Sequence, residues 1–357
     1  MKKTILRLSL MSIALMLFGV NSALAGDGDV IFHETFDACD GTGGNDGQWK
    51  GTIASNSMPK SITGWTFVGQ GAADRCVKLG ATRKTGSAQT PSISFENGKT
   101  YTLIYRVGGW DGDNTQVKVE LGSTTVTSSF AISSASFSVY TATLSPTGAG
   151  KVKFTAHANK ERFFIDDVMI VEGSKVNVTI ASSGWSSLAT PVGLDFSEVS
   201  GLTAFVASSV DASGVTLTSV DEITGAQGVM LKGTAETKYS IPIKTTAAFT
   251  GTNKLSAAYS ATPAAANALY VLQNGELHLV TSAGSSVPAG KAYLLASEVP
   301  SDARDLPFII DDDVTSIAEV NNETQTARGD FFDMQGRKVA QPTKGLYIVN
   351  GKKVIIK

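Results

Sequence analysis

The sequence predicts an all-β protein made of antiparallel sheets, and three observations predict it. Apolar and polar residues alternate in short runs, as in Gln116-Val117-Lys118-Val119-Glu120, Val176-Asn177-Val178-Thr179-Ile180 and Gly214-Val215-Thr216-Leu217-Thr218; a period of two is what a half-buried strand requires. Three Asn-Gly pairs, Asn97-Gly98, Asn274-Gly275 and Asn350-Gly351, each sit between apolar-rich runs, and Asn-Gly supplies the positive φ angles of a type I′ hairpin turn. Amphipathic helical periodicity is nearly absent after the first stretch of chain, while the 357 residues include 36 glycines and only 17% charged side chains, below the roughly 25% of average domains.

Taken in order, Met1 to Ala25 reads as a secretory signal. Lys2, Lys3 and Arg7 form its charged start, Leu8 to Val20 its apolar stretch, and Ala23-Leu24-Ala25 its small-residue cleavage pattern. The apolar stretch is short for a bilayer span, and no second one follows, so no membrane span is expected once the signal is removed. Its removal moves the formal charge from −2 to −5, because it carries three bases and no acid. A mildly acidic chain gives no electrostatic case for nucleic acid and none for a polybasic membrane patch. The remainder is longer than one β core usually holds. Composition shifts near Gly173-Ser174, from aromatic-rich to Thr, Ala and Val. An acidic run, Asp311-Asp312-Asp313, follows Phe308-Ile309-Ile310, and 319–329 is polar enough for a linker. The expected modules are therefore 26–173, 174–312 and 313–357.

The first module opens on the strand Val30-Ile31-Phe32-His33-Glu34-Thr35-Phe36, whose alternation puts Glu34 on a face shared with Val30, Phe32 and Phe36. A carboxylate there must be paired, coordinated or neutralised. The same problem recurs in Arg162-Phe163-Phe164-Ile165-Asp166-Asp167-Val168-Met169-Ile170, where Asp166 and Asp167 interrupt an apolar run. Arg162, backbone N–H groups at a strand end and a bound cation are the alternative partners. Cys39 and Cys76 are the only cysteines. In an exported chain they are expected to form a disulfide, worth about 4 kcal/mol for a loop of this size. Between them, Gly41-Thr42-Gly43-Gly44-Asn45-Asp46-Gly47 lacks the Gly-Lys-Ser/Thr ending of a phosphate loop and reads as a turn. Trp49, Trp65 and Trp110 are either sugar-stacking faces or core. Trp110 ranks first because it adjoins the polar loop Asp111-Gly112-Asp113-Asn114, where Asp111 and Asp113 would supply hydrogen bonds or ion ligands.

Glu34-Thr35-Phe36, Gln89-Thr90-Pro91-Ser92-Ile93 and Phe164-Ile165-Asp166-Asp167-Val168 give this module its resemblance to the jelly-roll β-sandwiches of cleaved-adhesin and carbohydrate-binding modules. That resemblance implies a structural Ca²⁺ held by Glu34 with Asp166 or Asp167, helped by backbone carbonyls or Asp37, since calcium takes six or more oxygens. The second module resembles an uncharacterised β module of secreted gut-bacterial proteins, through Gly228-Val229-Met230-Leu231-Lys232-Gly233 and Pro288-Ala289-Gly290-Lys291-Ala292-Tyr293. It implies no chemistry, and the module, a sandwich or barrel-like sheet, is read as a spacer or second binding surface. At the C-terminus, Phe331-Phe332-Asp333-Met334-Gln335-Gly336-Arg337-Lys338-Val339, Gly345-Leu346-Tyr347-Ile348-Val349 and Lys352-Lys353-Val354-Ile355-Ile356-Lys357 form a small hairpin domain that resembles the C-terminal sorting domain of type IX (Por) secretion. It implies contact with that export machinery and a secreted or outer-surface location on a Gram-negative bacterium.

No catalytic residue stands out. His33, His157 and His278 belong to no zinc-binding spacing. His33 is read as a surface residue. No Gly-X-Ser-X-Gly elbow occurs. A glycosidase needs two carboxylates about 5–10 Å apart in a cleft, which position along the chain does not decide. The sequence therefore reads as a non-catalytic secreted or surface protein whose first module binds polysaccharide or glycoprotein glycan. The alternatives are a structural or adhesive protein binding another surface protein, and an extracellular glycoside hydrolase.

Overall fold

A computed structural model describes residues 27–53, 56–259, 261–300, 303–311, 318–320, 331–333, 337–339, 344–349 and 352–356. The signal segment and the Asn350-Gly351 turn lie outside the described residues. Among those described, no helix is long and apolar enough to cross a membrane, and helical structure amounts to one 3₁₀ turn, Ala296–Glu298. The fold is all β.

The first module contains β1 (Val30–Glu34), β2 (Thr66–Val68), β3 (Gly71–Ala72), β4 (Val77–Leu79), β5 (Ser87–Gln89), β6 (Tyr101–Gly109), β7 (Gln116–Leu121), β8 (Thr124–Ala131), β9 (Ser138–Leu144), β10 (Val152–Ala156) and β11 (Phe163–Glu172). One sheet runs β3-β4-β11-β6-β9, with β1 also on β11; the other runs β2-β5-β10-β7-β8. All of these pairings are antiparallel. The central order, β4-β11-β6-β9 facing β5-β10-β7-β8, is that of a jelly roll, in which the chain repeatedly changes sheet. The inner faces meet in one core that includes Phe36, Leu79, Leu103, Tyr105, Val119, Phe154, Phe163 and Ile165. Alternation along each strand sends one set of side chains into that core and the other outward.

The second region is layered rather than barrel-like. A five-stranded sheet containing 185–189, 228–233, 202–211, 214–220 and 308–310 is covered on both faces. On one face it shares a core with Val176, Val178 and Ile241 of the ribbon 175–179/238–242. On the other it packs through Phe205, Leu217 and Met230 onto Tyr270, Leu277 and Leu294 of a second five-stranded sheet. Neither sheet closes on itself, which corrects the barrel-like alternative. The Asn274-Gly275 turn is confirmed: both residues have positive φ, 53° and 91°, and Gln273 faces Glu276 across it. Asn97-Gly98 also turns the chain, but 92–95 before it is no strand; Ile93 makes only an isolated bridge to Gly150.

At the C-terminus, Gly345–Val349 and Lys352–Ile356 pair antiparallel with Val349 opposite Lys352, the register a two-residue turn imposes. Phe331–Phe332 adds to this hairpin, and the Phe331 ring meets Tyr347 edge-on at 6.0 Å. The expected linker is corrected at its start, because Ala318–Val320 is a strand running parallel to Lys352–Ile356.

Candidate functional site

The two acids of β11 meet at a bulge. Pairing of β11 with β6 slips between Asp166 and Met169, and Asp167 takes a left-handed φ of 44°. Strict alternation would send consecutive residues to opposite faces; the extra residue keeps Ile165 and Val168 in the core and turns both acids outward. Asp166 and Asp167 are 2% and 3% exposed. Their counter-charge is Arg106 on β6, whose Nη1 donates to Asp166 Oδ2 at 2.9 Å and Asp167 Oδ2 at 2.7 Å. Asn45 Nδ2 donates to Asp166 Oδ2 at 3.0 Å, and the Asp167 N–H donates to Asp166 Oδ1 at 3.0 Å. Burial, then repulsion from Asp167, pushes the Asp166 pKa well up against the pull of Arg106. Burial also raises Asp167, again opposed by Arg106.

Glu34 is not part of this node. It stands opposite Val168, on the core side of the sheet, where Oε1 accepts the Phe36 N–H at 3.1 Å and the Trp65 side chain also hydrogen-bonds it. Burial raises its pKa. The expected calcium set is therefore corrected: Glu34 lies on one face of the sheet, Asp166 and Asp167 on the other, and a guanidinium already answers the pair. Among the described residues no three His, Cys, Asp or Glu side chains are grouped to hold a metal. Asp37 Oδ1 and Asp167 Oδ1 are buried without a hydrogen-bond partner, but two oxygens fall far short of calcium's coordination. Arg162, the alternative partner of Glu34, is bound instead to Asp113. His33, read as a surface residue, is half-buried, and burial lowers its pKa against the pull of Asp167 and Asp37.

The cysteines are a second correction. Both are free and buried. Cys39 belongs to the main core, whereas Cys76 lies in a satellite cluster with Ala73, Trp110 and Phe164 and points its Sγ at the Gly43 carbonyl, 3.5 Å away. Burial pushes the Cys39 thiol up to about 12 and raises Cys76 well above its usual value. The Gly-rich stretch is the lid of this cluster: a Cβ on Gly44, at φ +82°, would come within 2.6 Å of the Cys76 sulfur.

The tryptophans are used for packing. Trp110 is 7% exposed, parallel to Phe164 with centroids 6.2 Å apart, and the Arg162 guanidinium lies 4.2 Å from its ring centroid. A ring covered in this way has no free face for a sugar, which corrects its first rank. Trp49 packs edge-on against Phe137 and Phe164 at 5.1 and 5.3 Å. Trp65 stacks on Phe67 at 5.6 Å and borders the core. The loop acids are engaged as well. Lys50 Nζ sits 2.6 Å from Asp111. Asp113 takes Arg162 in a fork, Nε to Oδ2 at 2.7 Å and Nη2 to Oδ1 at 2.8 Å. Burial alone would raise Asp113, but the Arg162 bonds outweigh it and hold its pKa down. That stability is present above the ordinary aspartate pKa and is lost as pH falls through the lower folded value. Asp113→Asn should therefore cost about 1.5–3 kcal/mol at neutral pH and nothing below both pKa values, as read from denaturant midpoints across pH.

These contacts leave the two outer faces of the sandwich unlike each other. The β3-β4-β11-β6-β9 face is covered at one end by the lid, through Trp49, Ile53 and Phe137. At the other end Val30, Ile104, Met169 and Val171 pack on Val192 and Ile243 of the second region. Between them Arg106 approaches the Tyr259 ring to 5.9 Å, and the Ala261 N–H donates to Asp37 Oδ2 at 3.1 Å. The β2-β5-β10-β7-β8 face is open. Register aligns Thr66, Gln89, Lys153, Glu120 and Thr125 in one row across it. Val68, Ser87, Thr155 and Lys118 form the next. Their alternates Phe67, Ala88, Val119 and Phe154 are in or against the core. Lys118 Nζ reaches Glu120 Oε1 at 2.7 Å along this face, and the Thr155 hydroxyl is buried without a partner. Alternation in Gln116–Glu120 signalled outward polar residues; the neighbours they acquire needed the strand order.

In the second region, His278 Nδ1 lies 2.6 Å from Asp305 Oδ1, with no hydroxyl or thiol bonded to the ring among the described residues. A shallow cavity of about 490 Å³ is lined by Asn267, Tyr270, Leu279, Ala296, Val299, Pro300 and Arg304. Neither assembles a nucleophile with a base.

No protein-family model matches the chain, and no curated protein matches it. Among solved structures, part of the chain is similar to a CBM4 module, at 21% identity over 30% of this chain and 94% of that one, TM-score 0.26. It is similar to the CBM22-1 xylan-binding domain of Paenibacillus barcinonensis Xyn10C, at 13% identity, 42% and 97% coverage and TM-score 0.30. The K3 cleaved adhesin domain of the Porphyromonas gingivalis W83 Lys-gingipain gives 15% identity, 40% and 99% coverage and TM-score 0.27.

Proposed function

We propose that this is a non-catalytic, exported carbohydrate-binding protein whose jelly roll holds polysaccharide or glycoprotein glycan on the open face of its β2-β5-β10-β7-β8 sheet. One observation carries the reading: Thr66, Gln89, Lys153, Glu120 and Thr125, which are hydroxyls, an amide, an ammonium and a carboxylate, none of them buried, stand in one polar row across the face at regular sheet spacing. Side chains about 4.8 Å apart along a row that offer donors and acceptors together suit an extended polyhydroxylated chain. The tryptophans sit elsewhere, so affinity here rests on hydrogen bonds more than on stacking.

The test is an array of neutral and acidic polysaccharides probed with the protein lacking residues 1–25. The triple variant Gln89→Ala, Glu120→Ala, Lys153→Ala should bind at least about tenfold more weakly, about 1.4 kcal/mol, with an unchanged melting midpoint. Binding should persist in chelator, because none of the expected calcium donors lies on this face. A blank array, or binding indifferent to the three substitutions, removes the proposal.

A further inference from the structure

From Leu121 to Gly150 the chain contains no Asp, Glu, Lys, Arg or His. That stretch builds β8 and β9, and topology makes each the terminal strand of its sheet. The two stack at one side of the sandwich, with Phe130 of β8 and Tyr140 of β9 4.9 Å apart. One side of the jelly roll is thus a double edge of 8 and 7 residues. The opposite side ends in β2 and β3, of 3 and 2 residues.

A terminal strand turns a row of unpaired N–H and C=O groups outward. Proteins usually blunt such an edge with a lysine, a proline, an inward charge or a short strand. The opposite side is short. The β8–β9 side has no lysine, proline, inward charge or short strand: its strands are Thr124-Thr125-Val126-Thr127-Ser128-Ser129-Phe130-Ala131 and Ser138-Val139-Tyr140-Thr141-Ala142-Thr143-Leu144, rich in residues of high β propensity; β8 slips register twice against β7, at Val117/Val119 and Val119/Glu120, whereas β9 pairs with β6 without a slip. Nothing covers them, since Thr125, Ser128 and Thr143 are exposed and Val139 is 37% exposed. Among the described residues, the backbone of these two strands makes no hydrogen bond beyond its own sheet.

We propose that the β8–β9 edge is a self-association surface, occupied by the same edge of a second copy of this chain. Charge selects that occupant. The whole molecule is net negative, so two copies repel over most of their surface, and this uncharged side is where they approach without like charges opposed. A charged strand from another protein finds no counter-charge here, whereas β8 itself is an uncharged strand of matching length. Antiparallel pairing of β8 with its copy about a two-fold axis normal to the sheet is self-complementary. The same axis brings β9 toward its own copy and leaves the polar face free in both molecules. The proposal does not depend on the glycan reading.

Sedimentation velocity across a concentration series tests it, using the protein lacking residues 1–25. The wild type should double its mass as concentration rises, and the β8 and β9 amides should gain hydrogen-exchange protection in parallel. The variant Thr125→Lys, Ser128→Lys, Thr143→Lys places like charges at exposed positions of the pairing strands. It should stay monomeric at the same concentrations with an unchanged melting midpoint. A synthetic peptide of residues 124–131 should compete with the dimer. A wild type that stays monomeric throughout overturns the proposal, including one whose edge amides are protected only by a foreign strand. So does a dimer that the lysines leave intact. If the lysines also lower the melting midpoint, wild-type exchange protection decides: protection elsewhere and not at β8 and β9 overturns it.

Discussion

Replacing Arg106 with leucine should destabilise the protein by about 3–5 kcal/mol at neutral pH, because it strands two nearly fully buried carboxylates without a counter-charge. The guanidinium is the only cation recorded against Asp166 and Asp167 among the described residues, and it also lies 4.6 Å from the Phe137 ring centroid. The sign of the pH dependence follows from the same contacts. Both acids already have raised pKa values in the folded protein, so their contribution to stability is fully present below the ordinary aspartate pKa and is lost as pH rises through the folded values. Removing Arg106 takes away the one influence that Asp166 and Asp167 share in holding those values down. They climb further, and the penalty at neutral pH grows. The loss should therefore shrink on acidification, as the stranded acids take up protons. Denaturant titrations of the wild type and Arg106→Leu at neutral pH and at about pH 5 measure it. An equal loss at both would show that Arg106 matters through packing and not through charge.

Trp110→Ala should cost about 3–5 kcal/mol, the usual range for deleting a buried large aromatic, and should leave polysaccharide affinity unchanged for the folded fraction. The indole fills the space between Phe164 and Arg162, while the Trp110 backbone, which alanine keeps, donates its N–H to the Arg162 carbonyl and accepts from the Asp113 N–H. Truncation empties the satellite cluster and removes the surface on which the Arg162–Asp113 fork rests. Thermal melts with binding curves from the same preparation decide between packing and recognition. A stable variant with lost affinity would return Trp110 to the role its place beside a polar loop first suggested.

These residues show how far the sequence could be read. Period-two alternation located β7 and the strands Lys175–Thr179 and Gly214–Val220 because it depends only on neighbours along the chain, and Asn274-Gly275 formed the predicted turn because its positive φ angles are a local demand. Glu34, Asp166 and Asp167 were legible as acids needing partners. The partners were not. Arg106 sits mid-strand in Tyr101–Gly109, more than 50 residues away in the chain, and nothing nearby marks it until β6 lies beside β11. The bulge that turns two consecutive acids to one face is likewise a property of the pairing. The cysteines were misjudged for a related reason: separation along the chain allows a bond, but the packing cluster each thiol joins, the main core for Cys39 and the satellite cluster for Cys76, is set by the fold.

By itself the sequence determined the all-β class, the Asn274-Gly275 hairpin turn, the low and slightly negative charge, and the uncharged stretch that becomes the double edge. All of these are written in the order of neighbouring residues and in composition. Only the tertiary structure decided that Arg106 answers the buried acids, that the tryptophans pack, and that one sheet face stays open while the other is covered. Those outcomes depend on which distant strands become adjacent, and antiparallel pairing between strands tens of residues apart is settled by burial of the whole core, not by any short stretch of chain.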